Sequence, residues 1–140
     1  MAEAVFHHLV DQAGLSDQIE ADSVGTSPVN EGRPAHRGTR EALRRHDIAY
    51  EGRARQVSLA DLDEADYVVA MDMANVTYLR EVGPRGWLDG KLYLLLDFAP
   101  PGLPREVPDP IYDGRFEDVY GMIEAGCQGL LEHIRTKHGL

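Results

Sequence analysis

Two short apolar runs, DYVVAM at 66–71 and KLYLLL at 91–96, constrain this chain more than any other feature. Each is strand-sized and apolar on both faces, so each needs cover above and below, as in a parallel sheet held between helices. Asp72 stands where it can cap a helix over Met73–Val82, and Gly83, Pro84 and Gly86 end that helix. Further helices are predicted over 2–13 and from Gly38 to His46. A short one follows Ser58, with Asp61 at the capping-box distance. Ile19 to Val24 alternates and reads as another strand, and Gly25–His36 reads as a loop. A proline-rich loop spans Asp97–Gly114. The last helix then shows Phe116, Val119, Tyr120, Ile123, Cys127, Leu130, Leu131 and Ile134 at three- and four-residue steps. The predicted class is α/β, in three layers, with a small parallel sheet and helices on both faces. Function in such folds sits in loops leaving the carboxyl ends of the strands, here after Val24, Met71 and Leu96. One element breaks the alternation: no strand feeds the first helix.

Charge narrows the function classes. Asp and Glu number 24 against 14 Lys and Arg, a formal net charge of -10 over 140 residues. That balance opposes binding to nucleic acid or an anionic membrane through bulk electrostatics, and leaves room for a local anion site. The length fits one domain. No run is long enough to span a membrane and the N-terminus lacks a signal-peptide pattern, so a soluble, cytoplasmic protein is expected. The single cysteine, Cys127, excludes an intramolecular disulfide, and no Cys/His spacing resembles a zinc site, so no metal is expected. Cys127 lies on the apolar stripe of the last helix, and His133 rather than an arginine stands six residues beyond it, which marks a core thiol. Arg53 and Arg55 either bind an anion or pair with surface carboxylates, and the charge balance favours pairing.

Several segments in order, MAEAVFHHLV, EADSVGT, GRPAHRGTREALRRHDI, RARQV, DYVVAMD and VPDPIYDG, resemble the low-molecular-weight protein tyrosine phosphatases. The resemblance implies a four-stranded parallel sheet flanked by helices, and phosphotyrosine or phosphomonoester hydrolysis by a cysteine thiolate with no cofactor. By the same resemblance Asp109 is the general acid, while Tyr112 and Ile111 line the substrate cleft, Ile111 standing where relatives carry an aromatic residue. Ser23, Asp72 and Asn75 match positions that support the active-site region. The family's first strand and its loop of Cys, five residues and Arg precede the segment that matches Met1–Ala4. The resemblance therefore reads residues 1–140 as one N-terminally truncated phosphatase-like domain, with the first and central strand missing. The chain as given is expected to be catalytically incomplete and to form a homodimer through an open sheet edge. The alternative is a pseudophosphatase acting as a binding module. An arsenate reductase relative is a third reading, opposed by the lack of further redox cysteines.

Overall fold

The structure is a computed structural model that describes residues 1–140. Five α-helices and two β-strands follow in chain order: α1 (Ala2–Gln12), α2 (Arg37–Arg45), α3 (Leu59–Glu64), β1 (Val68–Ala70), α4 (Met73–Glu81), β2 (Leu92–Leu94) and α5 (Phe116–His138). A 3-10 turn, Leu95–Phe98, follows β2 directly. No helix is long and apolar enough to cross a membrane.

The strand–helix–strand unit forms as its sequence predicts. β1 and β2 pair in parallel, with Val68 opposite Leu92, Val69 opposite Tyr93 and Ala70 opposite Leu94, and α4 makes the crossover. Alternation along β1 sends its side chains to two apolar clusters. Val68 and Ala70 join Leu62 of α3, Val76 and Leu79 of α4, Leu88 and Leu94. Val69 and Met71 pack on the other side, against the larger cluster built from α1, α2, the 3-10 turn and α5. Within the larger cluster Leu43, Leu95, Val5 and Cys127 are almost wholly out of solvent. Burying the Leu43, Leu95 and Val5 side chains contributes roughly 1.5–3 kcal/mol each.

Two strand expectations are corrected. Ile19–Val24 does not form a strand; the segment meets the 53–57 region only through a bridge between Gly25 and Gln56. Side chains of α1 hold it instead: His7 Nε2 donates to the Ala21 carbonyl at 2.6 Å, and Glu3 accepts from the Ser23 hydroxyl at 2.6 Å. The run at 91–96 is strand only over Leu92–Leu94, because the chain tightens into the 3-10 turn at Leu95. The sheet is therefore two-stranded, where the family resemblance implies four.

α5 carries the apolar stripe its sequence predicts, with Val119, Tyr120, Ile123, Cys127, Leu130, Leu131 and Ile134 buried. Its carboxyl end stops at Gly139, whose φ of 67° is left-handed, and Arg135, Lys137 and His138 lie in its last turn, favourable to the helix dipole. Two of its glycines are packing requirements. A Cβ on Gly126 would stand 3.1 Å from the Leu95 carbonyl oxygen, and one on Gly129 would overlap the Phe98 carbonyl oxygen. Backbone thus lies directly on backbone along this seam.

Alanine at two α5 glycines separates that seam from intrinsic helix preference. Gly129→Ala is expected to destabilise the fold by about 1–3 kcal/mol through overpacking. Gly121→Ala, where a Cβ meets nothing, is expected to stabilise it by about 0.5–1 kcal/mol. Urea unfolding of both variants reads the two signs.

Candidate active site

Met71–Asp72–Met73, at the carboxyl end of β1, is the anchor of the candidate site. Asp72 is extended and caps α4, its carboxylate accepting from the Asn75 N–H at 2.8 Å. Asn75 reciprocates: its side-chain carbonyl accepts from the Met71 N–H at 3.2 Å. The predicted cap is thus a two-way lock that fixes where the backbone leaves the strand.

The long loop docks onto this lock. Its Val107 N–H donates to the Met71 carbonyl at 2.9 Å, and the Val107 side chain is buried. Glu106 accepts from the Met73 N–H at 2.8 Å, adding a second carboxylate at the amino end of α4. Upstream, Arg105 grips Asp97 through a fork of two 3.0 Å bonds and holds that carboxyl below the usual carboxylate range. Asp109 follows two residues after Val107, between Pro108 and Pro110, each with its φ fixed by the ring. It is exposed, and its Oδ1 accepts from the Ile111 N–H at 3.0 Å, closing an Asx-type turn. The chain then closes through Gly114 N–H to the Pro110 carbonyl at 2.8 Å, and Gly114 takes a left-handed φ of 74°.

Of the expected site residues, Asp72 and Asn75 meet each other and hold the base of the Asp109 loop. Ile111 and Tyr112 stand in solvent, Tyr112 at 88% exposure. Ser23 lies apart. Its hydroxyl bonds Glu3, beside Tyr50, and no hydrogen bond links it to Asp72, Asn75 or Asp109. Burial pushes the Tyr50 phenol up, and the Glu3 and Asp22 carboxylates add to the effect. Arg55 is engaged by carboxylates, donating to Asp22 at 2.7 Å and to Asp61 at 2.8 Å, and Arg53 donates to the Gly32 carbonyl. A surface cleft of about 240 Å³ lies between α2 and the start of α5 and does not include Asp109.

Cys127 is 1% exposed on the α5 face turned to α1, its thiol 3.8 Å from the Ala2 carbonyl oxygen. Burial pushes its pKa up to about 12, so at neutral pH it is a protonated core group rather than a thiolate. Sequence reasoning missed Glu106, Arg105 and Asp97. A lone carboxylate in a proline-rich loop has no periodic signature, and its partner Met73 lies 33 residues away.

The chain is similar to known proteins over nearly its whole length. A family model described as low molecular weight phosphotyrosine protein phosphatase matches residues 1–139. The low molecular weight protein-tyrosine-phosphatase YfkJ of Bacillus subtilis is 42% identical over 142 residues, covering 100% of this chain and 90% of that protein. PtpA of Staphylococcus epidermidis, of the same description, is 37% identical over 134 residues, covering 96% of this chain and 84% of its own length. The YfkJ crystal structure superposes with a TM-score of 0.91 over 97% of this chain and 86% of that one. A protein tyrosine phosphatase structure from Entamoeba histolytica gives 0.88 at 28% identity, over 99% and 88% of the two chains.

Two measurements check this geometry. Cys127 is expected to resist a thiol reagent at pH 8 in the native protein and to react fully in urea; fast native labelling contradicts its burial. Asp61 has its pKa lowered to about 2, first by Arg55 and then by Ser58. A depressed folded pKa stabilises above the unfolded value, and that stabilisation fades as pH falls through the folded one. The urea midpoints of wild type and Asp61→Asn are therefore expected to differ above about pH 5 and to converge between about pH 4 and 2.

Proposed function

The chain belongs to the low molecular weight phosphotyrosine protein phosphatase family, and on that footing we propose that it serves phosphomonoester hydrolysis, phosphotyrosine first, with Asp109 as the proton donor. In this reaction a thiolate attacks phosphorus and the ester P–O bond breaks. The acid passes its proton to the departing phenolate oxygen, and water then hydrolyses the phosphocysteine with the carboxylate as base. The observation that carries the assignment is the anchoring of the Asp109 loop at the carboxyl end of β1, through Val107 to Met71 and Glu106 to Met73. Ligands bind in this region of open α/β sheets. Ile111 and Tyr112 form the rim against which a phenyl ring rests, while Asp72 and Asn75 keep the loop base in place and Ser23 supports the neighbouring segment.

Residues 1–140 supply the acid and not the nucleophile. Their one thiol is Cys127, buried and protonated, with no arginine six residues on. In this proposal residues 1–140 act as one domain that does not turn over a phosphomonoester by itself. A second reading, a binding module that pairs with its own copy, is favoured by β1 having a partner on one side only. The Val68 N–H donates towards β2 at Lys91, so Val69 turns its N–H and C=O to the open edge. Light scattering over a range of concentrations tests it: a weight that rises to twice the monomer supports pairing, and a monomer throughout rejects it.

The test of the catalytic reading uses the protein purified from its native source, its intact mass determined, beside residues 1–140. The 140-residue chain is expected to give no hydrolysis of p-nitrophenyl phosphate above the uncatalysed rate. If the native protein carries the Cys–five residues–Arg loop, Asp109→Asn is expected to lower its kcat by about 10²–10⁴. The loss should be greater for phenyl phosphate, whose leaving group needs the proton more. Equal activity of wild type and Asp109→Asn on phenyl phosphate would remove Asp109 from the mechanism.

A further inference from the structure

Beyond Asp109 itself, the structure separates what holds the acid from what caps a helix. The side chain of Glu106 reaches out of the loop to the amino end of α4, where its Oε1 accepts from the Met73 N–H at 2.8 Å. Asp72 already caps α4 through Asn75, so the helix does not depend on Glu106 for its start. What Glu106 adds is a tie between two segments 33 residues apart, next to the Val107 N–H to Met71 carbonyl bond at 2.9 Å. These two bonds, with the buried Val107 side chain, fix the consecutive loop residues Glu106 and Val107 to Met73 and Met71, on either side of Asp72 at the β1–α4 junction. From that fixed point the path to Asp109 is short and stiff, because Pro108 and Pro110 flank it. Upstream, the Arg105–Asp97 fork holds the same loop to the 3-10 turn but is exposed on both sides, and an exposed pair contributes little.

We propose that Glu106 is a positioning residue for Asp109: by bonding the Met73 amide it sets where the proton-donating carboxyl stands relative to the end of β1. The proposal rests on the reading of Asp109 as the acid. Its test measures position rather than turnover, so an Asp109→Asn variant of full activity would sink that reading and leave the loop result standing.

The test uses ¹⁵N-labelled protein, residues 1–140, with Glu106→Ala and Glu106→Gln. The Ile111 amide donates to Asp109 Oδ1, so its chemical shift against pH reports the Asp109 carboxyl in its turn. Hydrogen exchange at Val107 and Ile111 reports the docking. Glu106→Ala is expected to speed exchange at both amides about tenfold, the effect of one lost hydrogen bond, and to flatten the Ile111 titration. Amides inside α4 keep their wild-type protection. Glu106→Gln, whose side-chain carbonyl can accept the same bond, is expected to restore both readouts. If Glu106→Ala moves only the Met73 amide and leaves Val107 and Ile111 as in wild type, Glu106 is a helix cap and the proposal is wrong. Should Glu106→Ala unfold α4, Glu106→Asp carries the test, since it keeps the charge but cannot reach Met73. The same loosened loop then supports the proposal, and an unchanged loop overturns it.

Discussion

Backbone-on-backbone contact between α5 and the Leu95–Phe98 turn is the constraint on which the rest of the structure hangs. Gly126 and Gly129 let the helix settle onto the Leu95 and Phe98 carbonyls, with no room for a methyl group at either place. The turn follows β2 without a break, so α5 decides where β2 ends. Register then passes the constraint to β1, and the carboxyl end of β1 is where Met71, Asp72 and Met73 receive the loop that bears Asp109. Close packing of this kind transmits position because an interior at crystal-like density cannot give by fractions of a side chain.

The same seam assigns the cysteine. Cys127 lies between Gly126 and Gly129 on α5, against α1, and it is buried where a nucleophile must be reachable and ionised. Asp109 is its opposite in every respect: exposed, on a loop, flanked by prolines and held at its base rather than at its tip. Residues 1–140 therefore place their thiol in the core and the Asp109 carboxyl at the edge.

Local signals made much of this legible in the sequence. The Ser58–Asp61 capping box and the Asp72 cap rest on residues within one helical turn, the α5 stripe repeats at steps of three and four residues, and each forms. The strand expected at Ile19–Val24 fails because alternation shows only that a segment can be extended, whereas a ladder needs a distant partner. Here α1 takes the backbone at Ala21 with a histidine side chain instead. The site divides in the same way. Asp109, Tyr112 and Asn75 are proposed through a run of matching segments, whereas Glu106 bonds a residue 33 positions away and carries no pattern of its own. Arg55 was readable only as a cation in an acidic chain. Its fork between Asp22 and Asp61 needed the fold to bring those carboxylates together.

The assignment of Cys127 to the core is tested most directly by rapid quenching with p-nitrophenyl phosphate, followed by mass spectrometry of the peptide that contains it. If the thiol is structural, that peptide never carries a phosphoryl group, at any substrate concentration or quench time. A phosphorylated Cys127 peptide, absent from Cys127→Ser, would contradict the separation of core thiol from surface acid and make α5 part of the reaction.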